Sequence, residues 1–229
     1  MRKLSIVVPA YNEAATIDAL LTLVEKADLG IEKEIIVVDD GSKDVTPRIL
    51  EKWKHKLTVL THAHNRGKGA AVRSGYAQAT GDYVVVQDAD LELDPNDLKA
   101  LVQKADMEQA GAVFGSRRLP LPGETRPKGI WHFELGGIFL SWLANILYGT
   151  HITDEPTCYK MVRRDILDEI ELTANGFEFC PELVAKLARR GVMIFEVPIH
   201  YTPRSVDEGK KVRLSDGLLA VWTLVKNRF

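Results

Sequence analysis

The feature that most constrains this chain is a set of short, continuously apolar, β-branched runs, each followed by a stretch with helical spacing. Leu4–Val8, Glu34–Val38, Leu57–Leu60, Tyr83–Val86 and Ala112–Phe114 read as strands. Between them, Ala14–Ala27, a segment opening at Thr46-Pro47 with Thr46 as N-cap, Lys68–Ala79 and Pro95–Asp106 read as helices. Strands that do not alternate apolar with polar residues are buried on both faces, and intervening helices provide the cover. The pattern predicts an α/β fold, a mostly parallel central sheet with helices on both faces. A length of 229 residues suits one large domain better than two small ones. Ligands of such sheets gather at the carboxyl ends of the strands, so the residues directly after each strand are the candidates.

After the first strand comes Pro9-Ala10-Tyr11-Asn12-Glu13. It carries neither GxGxxG nor GxxxxGK[ST], which argues against a dinucleotide-binding domain and a P-loop nucleotidase. After the second comes Asp39-Asp40-Gly41-Ser42, a composition that a turn with a helix cap would also use. Asn65-Arg66-Gly67-Lys68-Gly69 follows the third strand. Two glycines and two cations at a loop-to-helix junction suit a diphosphate, because backbone N–H groups and the helix dipole face the anion. A simple basic turn has the same composition. After the fourth strand, Gln87-Asp88-Ala89-Asp90-Leu91-Glu92 sets three carboxylates at alternate positions, which share a side in extended chain. So much like charge beside other charged strand ends destabilises the fold unless a cation neutralises it, which predicts a Mg²⁺ or Mn²⁺ site that in turn holds a ligand diphosphate.

The stretches VVPAYNE, VVDDGS, NRGKGAA and DADLE, in this order and spacing, resemble a family 2 glycosyltransferase with the GT-A fold, over roughly the whole chain and most strongly in its first 120 residues. The nearest resemblance is to dolichyl-phosphate mannose synthases and related polyprenyl-phosphate sugar transferases. The resemblance implies a nucleotide-sugar-binding half at 1–120 and an acceptor-binding half at 121–229. It implies that Pro9, Tyr11, Glu13, Val38 and Asp40 line the base and ribose pocket. Asp88, Ala89 and Asp90 match the DXD motif, with Asp90 and Asp88 on the metal and Glu92 as a further ligand. Arg117 matches an arginine near the phosphates, and Asp154 an acid that inverting members use near the sugar. Asp90, Arg117 and Asp154 are the residues expected to carry the chemistry. Where the mannose synthases carry a Ser-Gly-Phe-Arg-like stretch, this chain reads Thr157-Cys158-Tyr159-Lys160, a departure in the region of sugar and acceptor. The resemblance also puts Arg204 and Lys210 against donor diphosphate or acceptor phosphate, with Gly209 letting that basic loop close.

In the second half, Leu135, Ile138, Phe139, Trp142, Leu143, Ile146 and Leu147 follow helical spacing and define a broad apolar stripe. Such a stripe serves core packing or, as the resemblance suggests, a helix at a membrane face beside Arg126, Lys128, Arg163 and Arg164. The uncharged segment Leu135–Tyr148 is shorter than the roughly 20 residues a spanning helix needs. A strand at Val192–Val197 and a helix at Leu214–Val225 complete the reading. Thirty Lys and Arg against thirty-two Asp and Glu give a net charge of -2, which argues against a general nucleic-acid binder. Cys158 and Cys180 show no metal or disulfide pattern, and the first residues read as a strand rather than a signal peptide, so a cytoplasmic protein is expected.

With these residues, the resemblance implies a metal-dependent inverting hexosyltransferase. Its donor is a nucleoside diphosphate sugar (GDP-mannose or a UDP-hexose), its acceptor a polyprenyl phosphate, and a peripheral membrane contact or a separate membrane anchor subunit accompanies it. The alternatives are the same fold acting on a saccharide hydroxyl and a nucleotide-sugar-binding protein without turnover.

Overall fold

In the computed structural model of the chain, residues 1–121, 123, 131–204 and 214–229 are described, with residues 131–134 and 214 as backbone alone. Seven strands form one sheet: β1 (Lys3–Ala10), β2 (Glu32–Asp39), β3 (Thr58–Thr61), β4 (Tyr83–Val86), β5 (Ala112–Ser116), β6 (Lys160–Arg163) and β7 (Ile194–Pro198), in spatial order β3-β2-β1-β4-β6-β5-β7. The helices are α1 (Ile17–Lys26), α2 (Thr46–Glu51), α3 (Lys68–Tyr76), α4 (Leu98–Glu108), α5 (Trp131–Tyr148), α6 (Arg164–Asp168), α7 (Phe179–Arg189) and α8 (Leu214–Lys226), with a 3₁₀ turn at Pro95–Asp97 before α4.

The side-chain period of two divides each apolar strand between two core layers. Leu4, Ile6 and Val8 of β1 pack under α1 and α4 with Ile17, Leu20, Leu21, Leu98 and Leu101. Val7, together with Val38, Val84 and Val86, faces the other layer, built by Val72 of α3, Ala144 of α5, Leu183 and Leu187 of α7 and Leu224 of α8. Covering both faces is what lets β1 and β4 carry no exposed polar face.

The expected parallel strands are present, and two local readings change. Thr46 is not the cap of α2: the Asp44 carboxylate accepts from its N–H at 2.9 Å, while its own hydroxyl accepts from the N–H of Glu13 at 3.0 Å. The expected helix from Pro95 begins instead as the 3₁₀ turn, capped by Asp94, and becomes α-helical at Leu98. The region between Arg164 and Val192, to which the sequence analysis assigns no element, holds α6 and α7.

One strand controls where the site forms. β6 lies between β4 and β5 and is antiparallel to both, whereas every other pairing in the sheet is parallel. The carboxyl ends of the other six strands therefore share one edge with the amino end of β6. Residues that precede β6, Asp154 to Tyr159, are brought to the same edge as the loops that follow β1, β2, β4, β5 and β7.

Candidate active site at the carboxyl edge of the sheet

Asp39 and Asp40 at the end of β2 divide the work. Asp40 is 2% exposed; its carboxylate accepts from the backbone N–H groups of Arg66 at 2.9 Å and Gly67 at 2.8 Å and sits 2.6 Å from His62 Nδ1. The N–H groups expected to cradle a diphosphate are thus engaged by Asp40, which builds the 65–67 loop from beneath. Gly67 is required there, since its φ is +96° and a Cβ would stand 2.4 Å from the carbonyl oxygen of Asn175. Asp39, which sequence reasoning did not single out, is 1% exposed; Oδ1 accepts from the Ser42 N–H at 3.0 Å and buried Oδ2 has no hydrogen-bond partner in the described structure. A ligand N–H or hydroxyl would satisfy that oxygen, since buried polar atoms are ordinarily paired.

Of the other residues expected at the base pocket, Tyr11 and Pro9 are half-buried at the end of β1, and Glu13 lies beside them at 9% exposure. Val38 is packed entirely in the core beneath α3, so its side chain does not reach the edge.

The acidic loop after β4 does not collect its three carboxylates on one point. Asp88 pairs with Lys68 Nζ at 2.5 Å, and Lys68 also donates to Cys158 Sγ at 2.9 Å. Asp90 faces Arg204, whose guanidinium lies 3.1 Å from Asp90 Oδ2, 3.5 Å from Glu13 Oε2 and 3.8 Å from Glu92 Oε1. Ala89 between them is buried. Burial opposes the charge on Asp88, but the Lys68 ammonium outweighs it and lowers the carboxyl pKa. Burial would likewise lower the Lys68 pKa, and Asp88 reverses that. Asp90 is pushed up to about 6, first by burial and then by the charges of Asp88 and Glu92. That excess of negative charge is the environment a divalent cation relieves. No group of three or more ligating side chains is assembled for a metal among the described residues. Mg²⁺, however, is commonly held by one or two carboxylates with the remaining positions taken by phosphates and water. Asp90 with Asp88 fits that mode, and Glu92 and Arg204 flank it.

Across the edge, Asp154 is fully buried and bound by Arg117: Nε at 2.7 Å and Nη2 at 2.8 Å give a two-pronged ion pair, and the Arg117 backbone N–H adds a third bond at 2.9 Å. Burial would raise the Asp154 pKa, but Arg117 holds it below the usual carboxylate value. The Arg117 guanidinium also stacks 4.9 Å from the Tyr201 ring. Next to it, Glu155 is buried with Oε1 unpartnered in the described structure, and Lys160, wholly buried, donates to the backbone carbonyls of Glu155 and Thr157 and lies 5.1 Å from the centre of the Phe114 ring. Neither residue was singled out for a role from sequence, since Lys160 opens β6, a strand the sequence analysis does not assign, and Glu155 lies in the loop before it. Lys210, Gly209, Arg126 and Lys128 lie outside the described residues.

The arrangement offers three cations, Lys68, Arg117 and Arg204, around a carboxylate-lined edge, which suits a ligand with several phosphate oxygens. Comparison with known proteins gives the family and the fold. The sequence model described as glycosyl transferase family 2 matches residues 5–171. Glucosyl-3-phosphoglycerate synthase from Mycobacterium tuberculosis, in complex with Mn²⁺, UDP and phosphoglyceric acid, is similar in structure with a TM-score of 0.73 and 22% identity, covering 99% of this chain and 78% of that one. The same enzyme in complex with UDP gives a TM-score of 0.75 at 21% identity, over 99% and 80% of the two chains. A further structure of it, with Mg²⁺ and UDP, gives 0.74 at 22% identity over 99% and 79%. These likenesses show the fold, the GT-A arrangement of a mostly parallel sheet between helical layers.

Proposed function

The chain belongs to glycosyl transferase family 2, and from that premise we propose that it transfers a hexose from a nucleoside diphosphate sugar to a polyprenyl phosphate. The N-terminal half holds the donor and the C-terminal half the acceptor. The structurally similar synthase was crystallised with UDP and Mn²⁺ or Mg²⁺, which supports a UDP-sugar donor ahead of GDP-mannose and the same cations. Asp90 and Asp88 are the residues to hold such a cation, with Glu92 beside them, and when bound it would supply Lewis-acid stabilisation of the departing diphosphate. Lys68, Arg117 and Arg204 add fixed positive charge where that diphosphate gathers its charge. Asp39 supplies an acceptor oxygen for the nucleoside.

The observation that carries the choice of acceptor is the state of Asp154. A base that activates a hydroxyl needs a free lone pair and a pKa near the working pH. Asp154 is 0% exposed, carries Arg117 on both oxygens and has its pKa depressed, so no acceptor hydroxyl reaches it here and its role in this arrangement is to orient Arg117. A phosphate monoester, with a second pKa of about 6, arrives ionised and attacks without a base. The exposed apolar faces of α5 and α8 support an acceptor carried by a lipid.

The test is a transfer assay with UDP- and GDP-hexoses, Mn²⁺ or Mg²⁺, and either polyprenyl phosphate or small hydroxyl acceptors. Product on polyprenyl phosphate with one donor is the expected result. Transfer confined to a sugar or glycerate hydroxyl would replace this acceptor with the second reading, which the phosphoglyceric acid in the similar synthase favours. Nucleotide binding without any transfer would leave a binding protein.

A further inference from the structure

The acidic loop between β4 and α4 is held at Glu92, whose N–H donates to Asp90 Oδ1 at 3.0 Å and whose carbonyl and carboxylate accept from the N–H groups of Thr202 and Arg204. It carries Asp88, Asp90 and Glu92, which repel one another, and Leu91 adopts φ 62°, a conformation costly for a branched apolar side chain. Its two ends are nevertheless tied together from below by one buried side chain. Gln87 is 0% exposed and donates from Nε2 to the carbonyl oxygen of Asp88 at 3.2 Å and to that of Leu93 at 3.5 Å. Its Oε1 accepts from the hydroxyl of Tyr159, which also reaches the carbonyl oxygen of Asp94 at 3.0 Å. Tyr159 is itself 0% exposed, and burial raises its pKa, so the phenol stays protonated and donating.

Tyr159 reaches this position only because β6 runs against its neighbours, which brings the residues before it to the acidic edge. Consecutive side chains then divide the loop between them. Cys158 receives Lys68, the partner of Asp88, on one flank, and Tyr159 takes Gln87 and Asp94 on the other. We propose that Tyr159 and Gln87 are positioning residues for the acidic loop, a clamp in which Tyr159 of the acceptor half bears on Gln87 of the donor half and presets the spacing of Asp88 and Asp90 for a divalent cation and the donor diphosphate. This rests on the cation and donor assignment made above. The stretch Thr157-Cys158-Tyr159-Lys160, where the chain departs from the pattern it otherwise resembles, thereby gains a task as the pedestal of the loop. A preset loop binds its cation without first having to order its own backbone, which is where the clamp enters affinity.

The experiment uses the full chain and Tyr159→Phe, which removes the hydroxyl and keeps the ring. Calorimetric titration of Mn²⁺ into protein saturated with UDP reads cation affinity, and hydrogen exchange of the metal-free protein reads the loop. One lost hydrogen bond in a pre-ordered site should weaken Mn²⁺ binding about five- to tenfold, with kcat at saturating Mn²⁺ within about twofold. Exchange should quicken at amides 88–93 and stay unchanged in β1 and β2. Gln87→Met, which also loses the bonds to the Asp88 and Leu93 carbonyls, should weaken Mn²⁺ binding at least as much, and the double variant should fall short of the sum of the two, because they share the Gln87–Tyr159 bond. Unchanged Mn²⁺ affinity in folded Tyr159→Phe, or exchange that quickens evenly through the sheet, overturns the clamp. Should Tyr159→Phe fail to fold, Gln87→Met decides by the same readouts. A wild-type chain whose UDP binding ignores Mn²⁺ overturns the cation assignment and the clamp together, whereas a cation-dependent wild type with an unshifted variant overturns the clamp alone.

Discussion

Glu155 is a carboxyl group held where its charge is poorly supported. It is 1% exposed and its Oε1 has no hydrogen-bond partner in the described structure. Burial, which Lys160 offsets only in part, moves its pKa from 4.5 to about 7. The folded state therefore holds a proton that the unfolded chain has released between those two values. The stabilisation this group contributes is full below the unfolded value and is lost as pH rises through about 7. The loss amounts to roughly 3 kcal/mol at one pKa unit per 1.36 kcal/mol. Glu155→Gln should remove most of that slope, so that denaturant midpoints measured from pH 5 to 8 fall for the wild type and flatten for the variant. Parallel slopes would show that Glu155 titrates near its ordinary value. At this scale the sequence shows which residues end strands, and Asp40, Asp90, Arg117, Asp154 and Arg204 do stand at one edge. It does not show what each carboxylate faces. Asp39 and Asp40 are adjacent and chemically identical, yet the backbone of a distant loop consumes one and leaves an oxygen of the other unpaired. Likewise nothing in the sequence shows that Asp154 is paired with Arg117.

Elements were legible where apolar period and length agree. β1, β2 and β4 are continuous apolar runs, and α1 carries Ile17, Leu20, Leu21 and Val24 at helical spacing. β6 is four residues with a lysine at one end and an arginine at the other, and in its central place the buried Lys160 ammonium is met by two carbonyls and a ring. No pattern confined to Lys160–Arg163 encodes those partners. The helical spacing of α7, by contrast, is present in Phe179, Leu183, Val184 and Leu187, with Pro181 in the first turn where proline is tolerated. Its signal is in the sequence and marks a helix on the same terms as α1. The glycine loops were legible as turns, but composition cannot separate a glycine needed by a ligand from one needed by the chain. Gly67 belongs to the second kind. Gly67→Ala would force an L-residue to φ +96° against the Asn175 carbonyl and should cost on the order of 2 kcal/mol or more in urea denaturation. Gly30→Ala, at φ +72° with nothing within 4 Å, carries only the dihedral strain and should cost about 1 kcal/mol. Equal losses at the two sites would mean that residues 174–176 yield easily and do not pack the 65–69 loop as described.

At the scale of the whole molecule, exposed apolar area among the described residues is concentrated on one pair of helices. On α5, Leu135, Ile138, Phe139, Trp142 and Ile146 are exposed at helical spacing, with Trp142 at 56% and Ile146 at 60%. α8 presents Leu218, Leu219 and Trp222, the last also at 60%. The helices pack on each other through Leu140, Ala144, Ala220 and Leu224, and the Tyr148 hydroxyl reaches the Leu224 carbonyl, so their outer faces lie side by side. No helix among the described residues is long and apolar enough to cross a membrane. If the acceptor is a polyprenyl phosphate, this face is where its membrane would meet the protein. Burying roughly 100 Å² of each indole at about 25 cal/mol per Å² contributes about 2.5 kcal/mol per tryptophan. Replacing both, Trp142→Asp with Trp222→Asp, should therefore weaken binding to phospholipid vesicles by at least tenfold in a flotation assay. Folding should persist, because neither indole is part of the core, and turnover with a short-chain, water-soluble acceptor phosphate should stay within about twofold of wild type. A wild-type chain that ignores vesicles but sediments as a concentration-dependent dimer, abolished by the same pair of substitutions, would assign the face to a second copy. The lipid would then have to reach the acidic edge by another route.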